Sequence, residues 1–279
     1  MGRKGERGVT EESGLRTGKK NMKTTNHQAL IVDQFSKQAI AFSTAKTIAD
    51  AKALQLLIDA VGAGPGDTVL DVACGGGNVV CAFAGIVRHA TGIDMTPAML
   101  DHARAMTRER KLDNVSWGQG QATALPYADS TFTIVVTRFS FHHFIEPLAV
   151  LREMVRVCAP GGRVLVADMH TSTDPAKGAE FNRMEGLRDP SHVRALPVVE
   201  LKALFPAAGL PEAKIRFYEL RDELENLLGR SFPNPGDSDK IREIFRSSAR
   251  DDRLGIPVRL EGSHVNYAYP VAVLAATRP

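Results

Sequence analysis

The ten residues Val69-Leu-Asp-Val-Ala-Cys-Gly-Gly-Gly-Asn78 constrain this chain more than any other stretch. An apolar run, Thr68–Ala73, enters three consecutive glycines and leaves them as a helical pattern. A run of that length bounded by glycine reads as a buried strand. Glycines let the backbone turn sharply and let a ligand approach the main chain. A strand, a tight turn and a helix in sequence form the opening half of a βαβ unit.

The rest of the chain continues that rhythm. A helix is expected over Asn78–His89, a strand at Ala90–Asp94, and a helix opened by Thr96 and Pro97. Further strands are expected at Val115–Gly118, Thr131–Thr137 and Arg163–Met169, with a helix at Pro147–Val157. Alternation of this kind predicts an α/β fold with right-handed crossovers and a parallel sheet covered on both faces. Ahead of it, Leu30, Ile31, Gln34, Phe35 and Gln38 suggest one helix. Ile48, Ala51, Leu54, Leu57, Ile58 and Val61 suggest a second, which Gly62 ends. Residues 170–195 read as an irregular insert. A helix follows at Val198–Ala208, then a strand at Lys214–Leu220. A second, charged insert covers about 221–262 with a helix near 238–250, and a strand at Val265–Thr277 completes the chain.

Composition matters where it excludes. The net charge is +3, but residues 1–26 hold seven basic side chains against three acidic ones, so the remainder carries about −1. Basicity therefore belongs to a tail expected to be disordered, and Met22 opens a stretch that resembles a natural start, which makes residues 1–21 a candidate tag or extension. The folded body lacks the basic stripe with interleaved aromatics of a nucleic-acid binder. No apolar run approaches the length of a membrane span, and no apolar signal core is present. Three scattered cysteines, Cys74, Cys81 and Cys158, predict neither a disulfide framework nor a zinc site. A cytoplasmic protein is expected, acting on a small molecule without nucleic acid, membrane span or metal; the sequence allows a homodimer.

Three ligands compete for the glycine turn. A phosphate-cradling loop needs Gly-Lys-Ser/Thr, which is absent. A dinucleotide fingerprint needs glycine at 75, 77 and 80, and position 80 is Val. A nucleoside without a pyrophosphate, S-adenosylmethionine, needs backbone approach and no cation. Asp94 ends the second strand, where a carboxylate can accept both ribose hydroxyls; the plainer alternative is that it only caps the following helix.

Taken with Gly92–Leu100, Gly120–Pro126, Phe132–Phe144 and Leu151–Asp168, the chain resembles class I S-adenosylmethionine-dependent methyltransferases, in the group of the ubiquinone and menaquinone C-methyltransferases. The resemblance spans about residues 27–210, more loosely to the end. It implies a Rossmann-like, seven-stranded, mostly parallel sheet with an antiparallel last strand and helical lid insertions, as one domain over 27–279. It also implies that Asp71, Ala73, Cys74, Gly75 and Gly77 line the methionine and ribose portion, that Asp94 is the ribose acid, and that Met95 lies beside adenine. Gln121 and Ala122 match the site where the family usually has an acid for the adenine amino group. Thr133 stands where the family often has Asp. Arg138 matches the position near the methionine carboxylate.

Methyl transfer from a sulfonium needs alignment and exclusion of water, and a base only when the acceptor has a proton to lose. His142 and His143, after the fourth strand, are the candidate bases; either can instead simply hold the loop. Phe35, Phe42, Phe181, Met184 and Phe232 are candidates for an apolar acceptor wall, each equally at home in plain core. His192 and Arg194 could reach an anionic or phenolic acceptor or fix the lid internally. Rival functions are a sulfonium-assisted reaction other than methyl transfer, a non-catalytic binding module, and a nucleic-acid methyltransferase, for which the Asn-Pro-Pro-Tyr type motif is absent.

Overall fold

The computed structural model describes residues 10–279, with side chains described from Asn26 onward and Phe42 excepted. The tail expected over 1–26 falls almost wholly outside the described side chains, and so does the candidate Phe42. The element order is α1 (Thr10–Ser43), α2 (Ala51–Val61), β1 (Thr68–Val72), α3 (Asn78–Ala84), β2 (His89–Asp94), α4 (Pro97–Glu109), β3 (Val115–Gln119), β4 (Phe132–Arg138), α5 (Pro147–Val157), β5 (Cys158–Met169), α6 (Pro175–Arg188), α7 (Val198–Ala207), β6 (Lys214–Glu223), α8 (Leu224–Gly229), α9 (Asp237–Asp251), β7 (Val258–Glu261) and β8 (His264–Thr277).

The sheet runs β3-β2-β1-β4-β5-β8-β6. The first five strands are parallel, and β8 is antiparallel to both β5 and β6. Seven strands make the continuous path, as expected, and short β7 adds an eighth beside β8. Val69, Leu70 and Val72 of β1 are fully buried, because helices cover both faces of a parallel sheet. One core packs α5 and α7 against the sheet around Leu151, Met154, Leu201 and Phe205. Another packs α2 and α3 on the opposite face around Leu57, Ile58, Val80 and Phe83. A third lies under the inserts, around Phe181, Met184, Ile241 and Phe245.

Local chemistry sets several boundaries. Asp50 caps α2 by accepting the Ala53 N–H at 2.7 Å, and Gly62, at φ 58°, closes its far end. Helix α3 ends at Ala84 rather than His89, and β2 already begins at His89. The stretch expected to be irregular at 170–195 contains α6, started by Asp174, whose carboxylate accepts the Ala176 N–H at 2.9 Å, with Pro175 in the first position. Its mixed pattern of charged and apolar residues hid it. The second insert holds α8 and β7 besides the expected α9. Among the described residues no helix is long and apolar enough to cross a membrane.

The order reverses between β1 and β4, which start chain crossovers in opposite directions. Such a switch point leaves a crevice at the carboxyl ends of the strands, where open α/β sheets bind ligands.

Candidate active site

An open cleft occupies that crevice. Its floor comes from the ends of β1, β2 and β4, with residues 120–123 after β3 on one side. Helix α1 lies across it, contributing His27, Gln28, Ile31 and Phe35. The strap is tied down: Gln28 Nε2 donates to Gln121 Oε1 at 3.0 Å, and His27 Nε2 lies 2.8 Å from the His143 carbonyl.

The glycine turn is built by close packing as much as by turn geometry. Gly75, at φ 50°, is open toward the cleft, with only Met99 Sδ near a notional Cβ, at 3.9 Å. A Cβ on Gly76 would stand 1.9 Å from Ser43 Oγ at the end of α1. On Gly77 it would meet the Trp117 ring at 2.5 Å, and on Gly92 the same ring at 2.4 Å. Gly77 therefore makes room for an indole and does not line the cleft. Ala73 and Phe139 are non-glycine residues with positive φ, 56° and 55°, at the two strand ends that frame the site. Strain of this kind concentrates at functional sites.

Asp94 does more than cap α4. Its Oδ2 accepts the Gly75 N–H at 2.9 Å and its Oδ1 the Thr96 N–H at 2.8 Å, so one carboxylate ties the glycine turn to the start of α4. The side chain of Thr96 makes no cap bond. Burial raises the Asp94 pKa despite these donors.

Asp71 and Arg138 both line the cleft and carry buried unpaired polar atoms among the described residues. Asp71 is 1% exposed and, among the described residues, neither of its oxygens has a hydrogen-bond partner. Burial pushes its pKa well above the ordinary carboxylate value; Asp94 adds to the rise and Arg138 opposes it. Arg138 is also buried. Its Nη1 donates to the Ile48 carbonyl at 2.7 Å, its Nε to Tyr218 Oη at 3.2 Å, and its guanidinium lies 4.5 Å from the Phe139 ring centre. Its Nη2 has no partner. Buried polar groups are nearly always satisfied, so among the described residues an unpaired carboxylate and an unpaired guanidinium N–H stand out in this cleft. Ala73, Cys74, Met95, Gln121 and Ala122 line the same cleft. Burial raises the Cys74 pKa well above its usual value, so it is a packed thiol.

A second, smaller chamber adjoins the cleft and shares Phe35, Ile48, Phe139 and His143 with it. His142 lines this chamber. Its Nδ1 lies 2.6 Å from Asp168 Oδ1, and its backbone N–H donates to Asp168 Oδ2 at 3.2 Å. Burial alone would lower the His142 pKa, but the Asp168 carboxylate outweighs it and the value is raised. His143 behaves oppositely. Its Nδ1 lies 3.0 Å from the Ser191 carbonyl, and burial, with His142 adding, lowers it to about 4.

The other acceptor candidates separate. Phe35 lines both spaces. Phe181 and Met184 are fully buried in the third core and line neither. His192 is held by Asn182 Oδ1 at 2.8 Å, and burial lowers its pKa to about 2. Arg194 pairs with Glu200 at 2.6 Å on the surface, and Phe232 is exposed away from both spaces. Sequence reasoning missed Gln38, Arg188, Arg230 and Tyr269, which line the chamber from distant parts of the chain. It also missed Met99 and Thr123 in the cleft. Only the apolar face of α1 carried a signal, for Gln38. Among the described residues no group of three or more His, Cys, Asp or Glu side chains could hold a metal ion.

Comparison with known proteins agrees with this geometry. Residues 70–166 match the family described as "Methyltransferase domain". An uncharacterised methyltransferase of Bacillus subtilis, YcgJ, is 32% identical over 218 residues, covering 78% of this chain and 86% of the relative. A demethylmenaquinone methyltransferase of Renibacterium salmoninarum is 37% identical over 145 residues, covering 52% of this chain and 56% of the relative. The crystal structure of YcgJ superposes with a TM-score of 0.76 at 26% identity, over 81% of this chain and 98% of that one.

Proposed function

The chain belongs to the class I S-adenosylmethionine-dependent methyltransferases, and from that premise we propose that it methylates a small molecule bound in the second chamber. The observation that carries this is the pairing of two spaces. One is a cleft whose unpaired polar atoms suit a methionine zwitterion, and the other is a chamber that shares Phe35, Ile48, Phe139 and His143 with it.

The donor fits the cleft residue by residue. Asp71 is the carboxylate for the ammonium group, and Arg138 Nη2 the donor for the carboxylate. Asp94, already oriented by two backbone N–H groups, has acceptor capacity left for ribose hydroxyls. Met95 flanks the adenine position and Gln121 offers its amide. No lysine or arginine stands at the glycine turn to meet a phosphate, which sets this cleft apart from a dinucleotide site. Bound there, S-adenosylmethionine supplies an activated methyl group that needs only an aligned nucleophile.

The chain's own contribution is alignment, dryness and proton handling. Helix α1 lies across part of the cleft, tied down through Gln121 and the His143 carbonyl, and limits the access of water. Phe35, Ile48 and Phe139 form the passage in which acceptor and donor meet. His142 is the base for an acceptor that carries an ionisable proton: Asp168 holds the proton on Nδ1, which leaves Nε2 to accept one from the substrate and stabilises the resulting imidazolium. His143, with its proton held at Nδ1 toward Ser191, stays neutral and orders the passage. The near-neutral body outside residues 1–26 supports a small-molecule acceptor over a nucleic acid.

The test is a transfer assay with methyl-labelled S-adenosylmethionine against a metabolite extract, with the product identified by mass spectrometry. Label in a small organic product together with S-adenosylhomocysteine supports the proposal. Label in nucleic acid or protein, or turnover without S-adenosylhomocysteine, overturns it.

A further inference from the structure

Helix α1 is fastened unequally along its length. Toward its end it is built into the body: Gln34, Gln38, Ala39 and Ser43 are buried, and the Ser43 carbonyl accepts Asn78 Nδ2 at 3.0 Å. Nearer its start, two side chains hold it to the rim of the cleft. His27 Nε2 lies 2.8 Å from the His143 carbonyl, and Gln28 Nε2 donates to Gln121 Oε1 at 3.0 Å. The return bond, from Gln121 Nε2 to Gln28 Oε1, is longer at 3.5 Å. The two amides therefore meet edge to edge, each offering an N–H and a carbonyl oxygen to the other.

Gln121 is the fixed half of this pair. The Gly120 N–H donates to the Asp94 carbonyl at 3.0 Å, and the Gln121 carbonyl accepts the Ala124 N–H at 3.2 Å, so the backbone at 120–121 is locked beside the end of β2. Gln28 and Gln121 both line the cleft, as do Asp94 and Met95. The edge by which one primary amide joins another is also the edge by which it reads adenine, accepting from the N6 amino group and donating to the adjacent ring nitrogen. The carboxamide of Gln28 and the edge of adenine present the same pattern, a donor N–H beside an acceptor lone pair. An amide has one such edge, so Gln28 and adenine can use that of Gln121 only in turn.

We propose that Gln28 is an internal stand-in for adenine: it holds the recognition edge of Gln121 until the cofactor displaces it, and so sets how tightly and how fast the cofactor binds. The proposal rests on the assignment of the cleft to S-adenosylmethionine. The displaced contact is a neutral pair at a solvated rim, where a hydrogen bond contributes little net stability, so the cofactor can break it. Cofactor affinity is lowered by the fraction of molecules in which Gln121 is already taken. When the pair opens, α1 stays attached through His27 and its buried end, so the exchange is local to its first turn over the cleft.

The test measures S-adenosylhomocysteine binding to the full chain by calorimetry and by stopped-flow kinetics. Gln28→Met keeps the length of the side chain without its polar edge, and Gln28→Ala removes it, which guards against methionine filling the cleft. Both variants are expected to tighten Kd by about threefold to tenfold, the scale of one weak net hydrogen bond. Association should quicken by the same factor while dissociation is unchanged. In a Gln121→Ala background the same substitutions should change nothing, because the two residues act through one contact. Weaker binding or faster dissociation would show Gln28 holding the bound cofactor and would overturn the proposal. Unchanged affinity in both variants, or an equal gain in the Gln121→Ala background, would overturn it too. In all these outcomes the native chain binds the ligand and the donor-site assignment stands; a native chain that binds no S-adenosylhomocysteine overturns that assignment and the proposal with it.

Discussion

Replacing Asp71 with asparagine should strengthen the fold and weaken the cofactor site at once. Asp71 is 1% exposed and unpaired at both oxygens. A buried carboxylate without a partner costs several kcal/mol, and the amide keeps its shape without its charge. Part of that cost persists, since the amide is also unpaired, so a gain of about 1–3 kcal/mol at neutral pH is expected, or roughly 3–8 °C in Tm for a chain of this size. The gain should depend on pH. The folded-state pKa of Asp71 lies above its ordinary value, so the folded protein retains the proton where the unfolded chain has lost it. The burden of the charge is therefore absent near pH 4 and grows as pH rises through the folded pKa. The Asp71→Asn variant should gain little at pH 4 and most at pH 7 and above. Binding moves the other way: losing one charge-assisted hydrogen bond costs about 1.5–3 kcal/mol, a roughly tenfold to hundredfold weaker Kd. Thermal unfolding across pH and calorimetric titration with S-adenosylhomocysteine measure both. A variant that is less stable at pH 7, or one that binds within twofold of the native protein, would refute the reasoning.

Other perturbations test other parts. With His142 as base, activity should rise with pH through a value above the ordinary histidine pKa, because Asp168 raises it. Asp168→Asn should shift that limb to lower pH and reduce kcat by about tenfold to hundredfold; an unmoved limb in a pH–rate profile would count against the pair. His143 is held near 4 in the fold and titrates near 6.5 when unfolded. The unfolded state therefore binds more protons between those values, and stability should fall by up to about 3 kcal/mol as pH drops from about 6.5 to 4. His143→Phe should remove that share, as read from urea midpoints at both pH values. Gly92→Ala places a Cβ 2.4 Å from the Trp117 ring and should cost about 2 kcal/mol or more, with altered Trp117 fluorescence; a variant of native stability would show that the indole is not tightly held.

The residues of the cleft proposed for the cofactor were legible because they follow strand ends directly in the chain. Asp71, Gly75, Asp94 and Arg138 each lie at or just after a strand's end, and the sheet topology alone brings those ends together. The proposed acceptor half was legible only in part, through Phe35, His142 and His143. Gln38, Arg188, Arg230 and Tyr269 come from α1, α6, the segment after α8, and β8, and no local pattern announces their meeting. Phe181 and Met184 looked like pocket walls for the same reason that they are core: a helical apolar stripe does not say which neighbour it faces. Gly77 carried a familiar motif, but the neighbour that requires it is Trp117, far along the chain on β3. Phe35 on α1 was a pocket candidate and lines both spaces, but nothing in the helix pattern says that His27 and Gln28 also reach the cleft.

The most direct test of the account is a crystal structure with S-adenosylhomocysteine bound. It should place the ammonium group against Asp71, the carboxylate at Arg138 Nη2 and the ribose hydroxyls on Asp94, with the sulfur facing the passage between Phe35 and Phe139. A ligand bound elsewhere, or bound here with Asp71 and Arg138 still unpaired, would contradict it.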